Sequence, residues 1–178
     1  GYSQFVGVDR AKMLELKNYG TWARFNVFYT FAESPDLVVS AIDTLRNTAT
    51  NLGYIFYNSY NVTNISYIDT YRATSVTNLV KGTKLDQNIG YMDLRNCTNF
   101  VNFARGVTTW STENYGNTLL GWLRWDSTTH APAVGWVLQS NQNFHGGNST
   151  LVTGSEAALV RDYLINTLNW TITDGGLT

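Results

Sequence analysis

Two short sequence words recur along the middle of this 178-residue chain, and their spacing constrains its fold more than any other feature. Val62-Thr63-Asn64-Ile65-Ser66-Tyr67-Ile68-Asp69-Thr70 is followed by Ser75-Val76-Thr77-Asn78-Leu79. Asn88-Ile89-Gly90-Tyr91-Met92-Asp93-Leu94 is followed by Asn96-Cys97-Thr98-Asn99-Phe100. A fainter copy, Ala41-Ile42-Asp43-Thr44 then Thr48-Ala49-Thr50-Asn51-Leu52, lies upstream. Asp43, Asp69 and Asp93 are 26 and 24 residues apart; the Thr-Asn pairs at 50–51, 77–78 and 98–99 are 27 and 21 apart. A third marker, Phe31, Phe56, Val80 and Phe103, is spaced by 25, 24 and 23 residues. A period of about 20–30 residues signals stacked repeats. One such coil cannot bury its own apolar side, so its neighbour must cover it. The expected core is therefore Ile42, Leu52, Ile65, Ile68, Leu79, Ile89, Met92 and Phe100.

The expected architecture is a short α/β solenoid with small parallel strands, capped by helices at both ends. It is read as a single domain over residues 1–178, with an N-terminal cap at 1–30, repeat coils at 31–106 and a C-terminal cap at 107–178. Asp9 precedes an apolar set that Gly20 ends, which predicts a helix over 9–20. Phe25, Val27, Tyr29 and Phe31 alternate as a strand would over 22–31, and Pro35 marks a turn. Ser111 opens a helix with Tyr115, Leu119, Trp122 and Leu123 on one face. Ser155 opens another, running to about Leu168 through Ala157, Val160 and Leu164. Residues 126–132 read as a loop, 133–138 as a strand, 139–148 as a loop anchored by Phe144, and 170–173 as a final strand.

Composition narrows the function. Charged residues make up 14 % of the chain, against about 25 % in an ordinary globular protein. Aromatics also make up 14 %. That profile suits an extracellular, virion or cell-surface protein better than a cytosolic enzyme. The 12 basic residues are scattered and the formal charge is -1, so no nucleic-acid partner is expected. No apolar run approaches the ~18 residues of a membrane span, so no membrane insertion is expected. The chain begins at Gly1, as a processed or excised piece would. Cys97 is the one cysteine. It takes the slot of Val76 in the preceding copy and reads as a small buried apolar group.

The later copies resemble the BspA-like leucine-rich repeats of bacterial exported proteins and of phage tail or fibre proteins. Asp86-Gln87-Asn88-Ile89-Gly90-Tyr91-Met92-Asp93-Leu94-Arg95-Asn96-Cys97-Thr98-Asn99-Phe100 is similar to that family's NQDIGxWDVSNVTNM coil. Ser111-Thr112-Glu113-Asn114-Tyr115 with Leu119-Leu120-Gly121-Trp122, Gly146-Gly147-Asn148-Ser149, and residues 164–176 resemble its terminal segment. The resemblance runs from about residue 31 to 178 and is strongest from Asp86 onward. Met92 stands where the family often has Trp, and residues 126–132 look like an insertion. The resemblance implies a leucine-rich-repeat solenoid serving as a surface-displayed recognition or adhesion module. It implies no catalytic residue.

The candidate sites follow by elimination. Asp43, Asp69 and Asp93 could gather a cation or act as catalytic acids, but a repeated Asp more simply accepts bonds from its own turn. His130 and His145 have no partner at ligand spacing. No metal or other cofactor is expected. A carbohydrate-active enzyme needs two carboxylates ~5–10 Å apart in a cleft, and the repeat accounts for most of the acids. Residues outside the repeat are free to specify a partner. The longest such piece is 123–142. With exposed side chains of the last coil, it supplies the candidate ligand-binding set: Trp125, Asp126, His130, Trp136, Gln139, Tyr91 and Arg95. The expected activity is non-enzymatic recognition of a cell-surface glycan or protein. The alternative is a purely structural component that packs against copies of itself or its virion neighbours.

Overall fold

A computed structural model describes residues 9–20, 27–46, 48–65 and 67–178. Among these residues a 3-10 turn at Arg10–Lys12 comes first, followed by β1 (Glu15–Leu16), β2 (Val38–Val39), β3 (Thr44–Leu45) and β4 (Tyr67–Ile68). Then come α1 (Thr112–Leu123), β5 (Trp125–Asp126), β6 (Ala131–Pro132), β7 (Asn143–His145) and β8 (Thr150–Leu151). The chain closes with α2 (Glu156–Asn166), β9 (Thr171–Thr173) and β10 (Gly176–Leu177).

This corrects the expected leucine-rich-repeat solenoid. The strands of the described residues pair only two at a time, in five separate sheets. β5 and β6 are antiparallel, and both α-helices of the described residues lie in the C-terminal part of the chain. The helix expected over 9–20 is a three-residue 3-10 turn capped by Asp9. Its continuation is extended, with Leu14 exposed and Leu16 buried. The strand expected over 22–31 falls partly outside the described residues, and residues 28–33 form turns. The strand expected over 133–138 is also turn and loop.

The backbone between these short strands is organised by turns. Residues 28–33, 53–58, 77–82 and 101–106 form four similar six-residue turns. Each holds two left-handed residues: Tyr29 and Glu33, Tyr54 and Asn58, Asn78 and Gly82, Asn102 and Gly106. Main-chain bonds join each turn to the next. The amides of Tyr54, Phe56 and Asn58 donate to the carbonyls of Thr77, Leu79 and Lys81. Those of Asn78, Val80 and Gly82 donate in turn to Val101, Phe103 and Arg105. Buried N–H and C=O groups must find partners, and here they find them across the turns rather than in a strand ladder.

This register also corrects the alignment of the sequence words. Asn51 bridges Ser75, and Ser75 bridges Asn99, so Thr77-Asn78 occupies a different place from the other Thr-Asn pairs. The side-chain oxygens of Asn51, Ser75 and Asn99 each accept the amide two residues on, at 2.9, 3.4 and 3.2 Å. Ala104, not Phe103, matches Phe31, Phe56 and Val80, since its amide makes the equivalent bond, to His145. Leu45 rather than Ile42 lies beside Ile68. Ile42 is consequently 89 % exposed, while the other seven expected core residues are buried.

α1 and α2 form where Ser111 and Ser155 cap them, each hydroxyl accepting the amide three residues on. α1 buries Tyr115, Leu119, Trp122 and Leu123. It is pinned to the preceding segment by Ile89, whose amide donates to Thr118 Oγ1 at 3.0 Å and whose carbonyl accepts Trp122 Nε1–H at 3.2 Å. The helix comes in so close that a Cβ added at Gly121 would meet Gly90 Cα at 2.5 Å. Behind it, Arg161 grips the fully buried Asp174 carboxylate through two bonds of 2.9 Å, and the Tyr115 hydroxyl donates to the same carboxylate at 2.8 Å. Burial alone would raise the Asp174 pKa, but Arg161, Tyr115 and the Gly176 amide outweigh it and hold it below the usual carboxylate value.

Gly121→Ala tests this packing. Helix propensity favours alanine by about 1 kcal/mol. We expect a net loss of about 2 kcal/mol in denaturant unfolding, the scale of overpacking. Unchanged or improved stability would show that α1 and residue 90 are not in backbone contact.

Candidate functional site

The outward face beside α1 is built from alternation. Ile68 and Thr70 point inward while Tyr67, Asp69 and Tyr71 are exposed. One repeat later, Met92 and Leu94 are buried while Tyr91, Asp93 and Arg95 face out. Tyr67 and Tyr91 meet with ring centroids 4.8 Å apart. The Tyr91 hydroxyl accepts the Ile68 amide at 3.3 Å, and its pKa is raised, chiefly by burial. Asp93 binds Arg95 in a fork, Nε to Oδ1 at 3.0 Å and Nη2 to Oδ2 at 2.7 Å. The two-pronged bond keeps the Asp93 pKa below its ordinary value, against an opposing contribution from burial and with help from the Arg95 amide and the charges of Arg95 and Arg124. A fork of this kind fixes the guanidinium plane.

The segment 123–142 packs beside that row. Arg124, left-handed at φ 45°, ends α1. β5 and β6 then form a small hairpin whose turn carries His130, also left-handed. Asp126 accepts the Thr128 amide at 2.8 Å and the Thr129 hydroxyl at 3.0 Å, so it holds the hairpin turn. Trp125 is half-buried, edge-on to Tyr163, and its indole N–H donates to Glu156 at 2.8 Å. His130 Nδ1 lies 3.2 Å from the same carboxylate.

Trp136 is only 8 % exposed. Its N–H donates to the Trp122 carbonyl at 2.6 Å. The guanidinium carbons of Arg95 and Arg124 lie 4.0 and 3.8 Å from its ring centroid. Gln139 Nε2–H donates to the Arg95 carbonyl at 2.8 Å.

The seven expected site residues thus divide into groups. Arg95, Trp136 and Gln139 come together, Trp125 and His130 share Glu156, Asp126 serves its own turn, and Tyr91 pairs with Tyr67. Trp136, expected as an exposed contact, is an anchor instead. Arg124, Asp93 and Glu156 complete these groups; Asp93 read as a turn acceptor, and Arg124 and Glu156 were not legible as site residues. Glu156 follows the Ser155 cap and read only as a helix start, and Arg124 lay next to the helix end without a charge cluster to single it out.

The other candidates resolve structurally. Asp69 and Asp93 each accept the amide two residues on, while Asp43 caps the amides of Tyr19 and Gly20 at 2.9 Å. Among the described residues no three His, Cys, Asp or Glu side chains gather at a distance suited to a metal ion. His145 Nδ1 accepts the Gly147 amide at 3.1 Å, and burial lowers its pKa, with Arg105 adding to the effect and Asp174 opposing it. Cys97 is buried, and burial pushes its thiol up to about 11, which makes it a poor nucleophile. No protein-family model, curated protein or solved structure matches this chain.

Because the Asp93 pKa is depressed in the folded state, its stabilising bond to Arg95 is complete above the ordinary carboxylate value of about 4. It is lost as pH falls through the lower, folded-state value. Asp93→Asn should therefore lower the melting temperature at pH 7, and the gap to the parent protein should close at about pH 2. A gap of equal size at both pH values would show that the carboxylate charge does not hold Arg95.

Proposed function

We propose that this chain is a non-enzymatic recognition or adhesion module, displayed on a phage virion or a bacterial surface, that binds a glycan or a protein on the surface it meets. The observation that supports this reading is the held face formed by Tyr67, Tyr71, Tyr91, Arg95 and the 123–142 segment. Tyrosine and arginine are the residues that dominate binding energy at interfaces. Here Arg95 is tied in place by Asp93, Gln139 and Trp136 before any partner arrives, and a preorganised side chain loses less freedom on binding. The resemblance of residues 86–176 to bacterial and phage surface proteins points the same way.

One observation favours the alternative, a structural component that associates with itself. Leu14, Val38 and Ile42 are 67, 51 and 89 % exposed, and the Val38 amide donates to the Leu14 carbonyl, which brings two of these residues side by side. An association through them would need to bury roughly 1,000 Å² or more to be stable.

Fluorescently labelled chain, applied to intact cells of a panel of Gram-negative and Gram-positive bacteria, tests the first reading. Saturable labelling of at least one strain, displaced by unlabelled chain, is expected. No saturable labelling anywhere, with sedimentation showing self-association at micromolar concentration, would favour the structural reading.

A further inference from the structure

We infer that the turn at residues 133–136, with Val137 after it, is a protein-docking knob, in which Val134 and Val137 enter an apolar pocket on a partner protein and Arg124 meets carboxylates at the rim of that pocket. The inference rests on the recognition reading above and specifies the partner's class.

The turn is built around a closing bond. The Trp136 amide donates to the Ala133 carbonyl at 2.9 Å, and Gly135 takes the left-handed conformation, φ 75°, at the third turn position. A turn with positive φ there favours glycine. Val134, at the second position, is 107 % exposed and Val137 is 60 % exposed, whereas Trp136 and Leu138 between and beyond them are buried. A lone exposed valine is unremarkable. Two of them on a turn this firmly anchored are not expected of a slack loop. The anchor comprises the buried Trp136 indole, its bond to Trp122, the two guanidinium groups against its ring, and the Ala133 amide donating to the Arg124 carbonyl. The fold thus fixes the position of a tip that buries nothing within the chain.

The chemistry around the tip selects the partner. Arg124 is exposed and makes no salt bridge among the described residues, while Arg95 is committed to Asp93. A guanidinium seated on the Trp136 ring without a salt bridge, beside an aliphatic tip, is complementary to an apolar pocket edged by carboxylates. A glycan would want an open aromatic face, and this segment offers none at Trp136, which is buried, and only a half-buried ring at Trp125. Two valines also bury far less apolar surface than the amphipathic helices that hold proteins on membranes.

The test uses the cell-labelling assay with the full chain. Val134→Asp should leave the melting curve unchanged, because the side chain is fully exposed, and should weaken labelling about tenfold or more, as loss of a central apolar contact does. Raising the salt from ~0.05 to ~0.5 M should weaken labelling by the parent chain, since exposed charges are screened. Arg124→Gln should flatten that salt dependence. Pretreating the cells with protease should abolish labelling, and periodate oxidation of surface sugars should not. Labelling that survives protease but not periodate, or that is unaffected by Val134→Asp, would overturn the docking knob while leaving the recognition function standing. Labelling that vanishes only when anionic lipid vesicles compete would assign the tip to membranes and also overturn it. No saturable labelling of any strain would overturn the recognition reading itself.

Discussion

Main-chain hydrogen bonding between successive six-residue turns is the constraint on which the rest of this structure depends. Each turn holds two left-handed residues four positions apart, and the amides of Glu33, Tyr54, Asn58, Asn78 and Gly82 among them donate to the next turn. A left-handed conformation costs an ordinary residue about 1–2 kcal/mol. Asparagine and glycine bear it easily at 58, 78, 82, 102 and 106. Tyr29 and Tyr54 bear it with compensation, for their rings stack 4.8 Å apart at 14°. The same register sets which side chains face inward. It buries Phe31 against Phe56, with centroids 5.5 Å apart, and it turns Tyr67, Asp69, Tyr71, Tyr91, Asp93 and Arg95 outward.

The sequence showed a period near 24 residues but misread what carries it. Side-chain words suggested strands and a solenoid, whereas the repeated unit is a turn whose identity lies in backbone angles. Those angles are poorly encoded when tyrosine stands where asparagine or glycine is expected. The same blindness aligned Ile42 with Ile68 and placed it in the core. The two α-helices were legible because their starts are local: Ser111 and Ser155 each cap an amide three residues on, and the apolar spacing continues without interruption. Cys97 is buried as expected, but not through the expected equivalence with Val76: Ser75 pairs with Asn99, which sets Cys97 opposite the buried Ala73. Asp174, by contrast, lies just past the expected final strand at 170–173. Its partners Tyr115 and Arg161 are 59 and 13 residues away, and no local pattern announces a contact of that range.

At the candidate site the sequence mistook the role of Trp136. Tryptophan outside a repeat slot invites the reading of an exposed contact. Burial of Trp136 under Trp122 and between the neighbouring arginines makes it the support for residues on either side of it. Each of the five described tryptophans donates its indole N–H to an oxygen of the chain: Trp110 to Gln87, Trp122 to Ile89, Trp125 to Glu156, Trp136 to Trp122 and Trp170 to Gln139. That pattern is typical of aromatic groups used to fasten a structure, since a buried N–H without a partner is costly. The surface is then left to tyrosine, arginine, aspartate and valine.

The outward face depends on the turn-to-turn register, and native-state hydrogen exchange measures that register directly. The amides of Tyr54, Phe56, Asn58, Asn78, Val80 and Gly82 should be strongly protected, exchanging with free energies close to that of global unfolding, although they sit in turns. Exchange of these amides at the rate of exposed loops would contradict the register and, with it, the arrangement of the outward face.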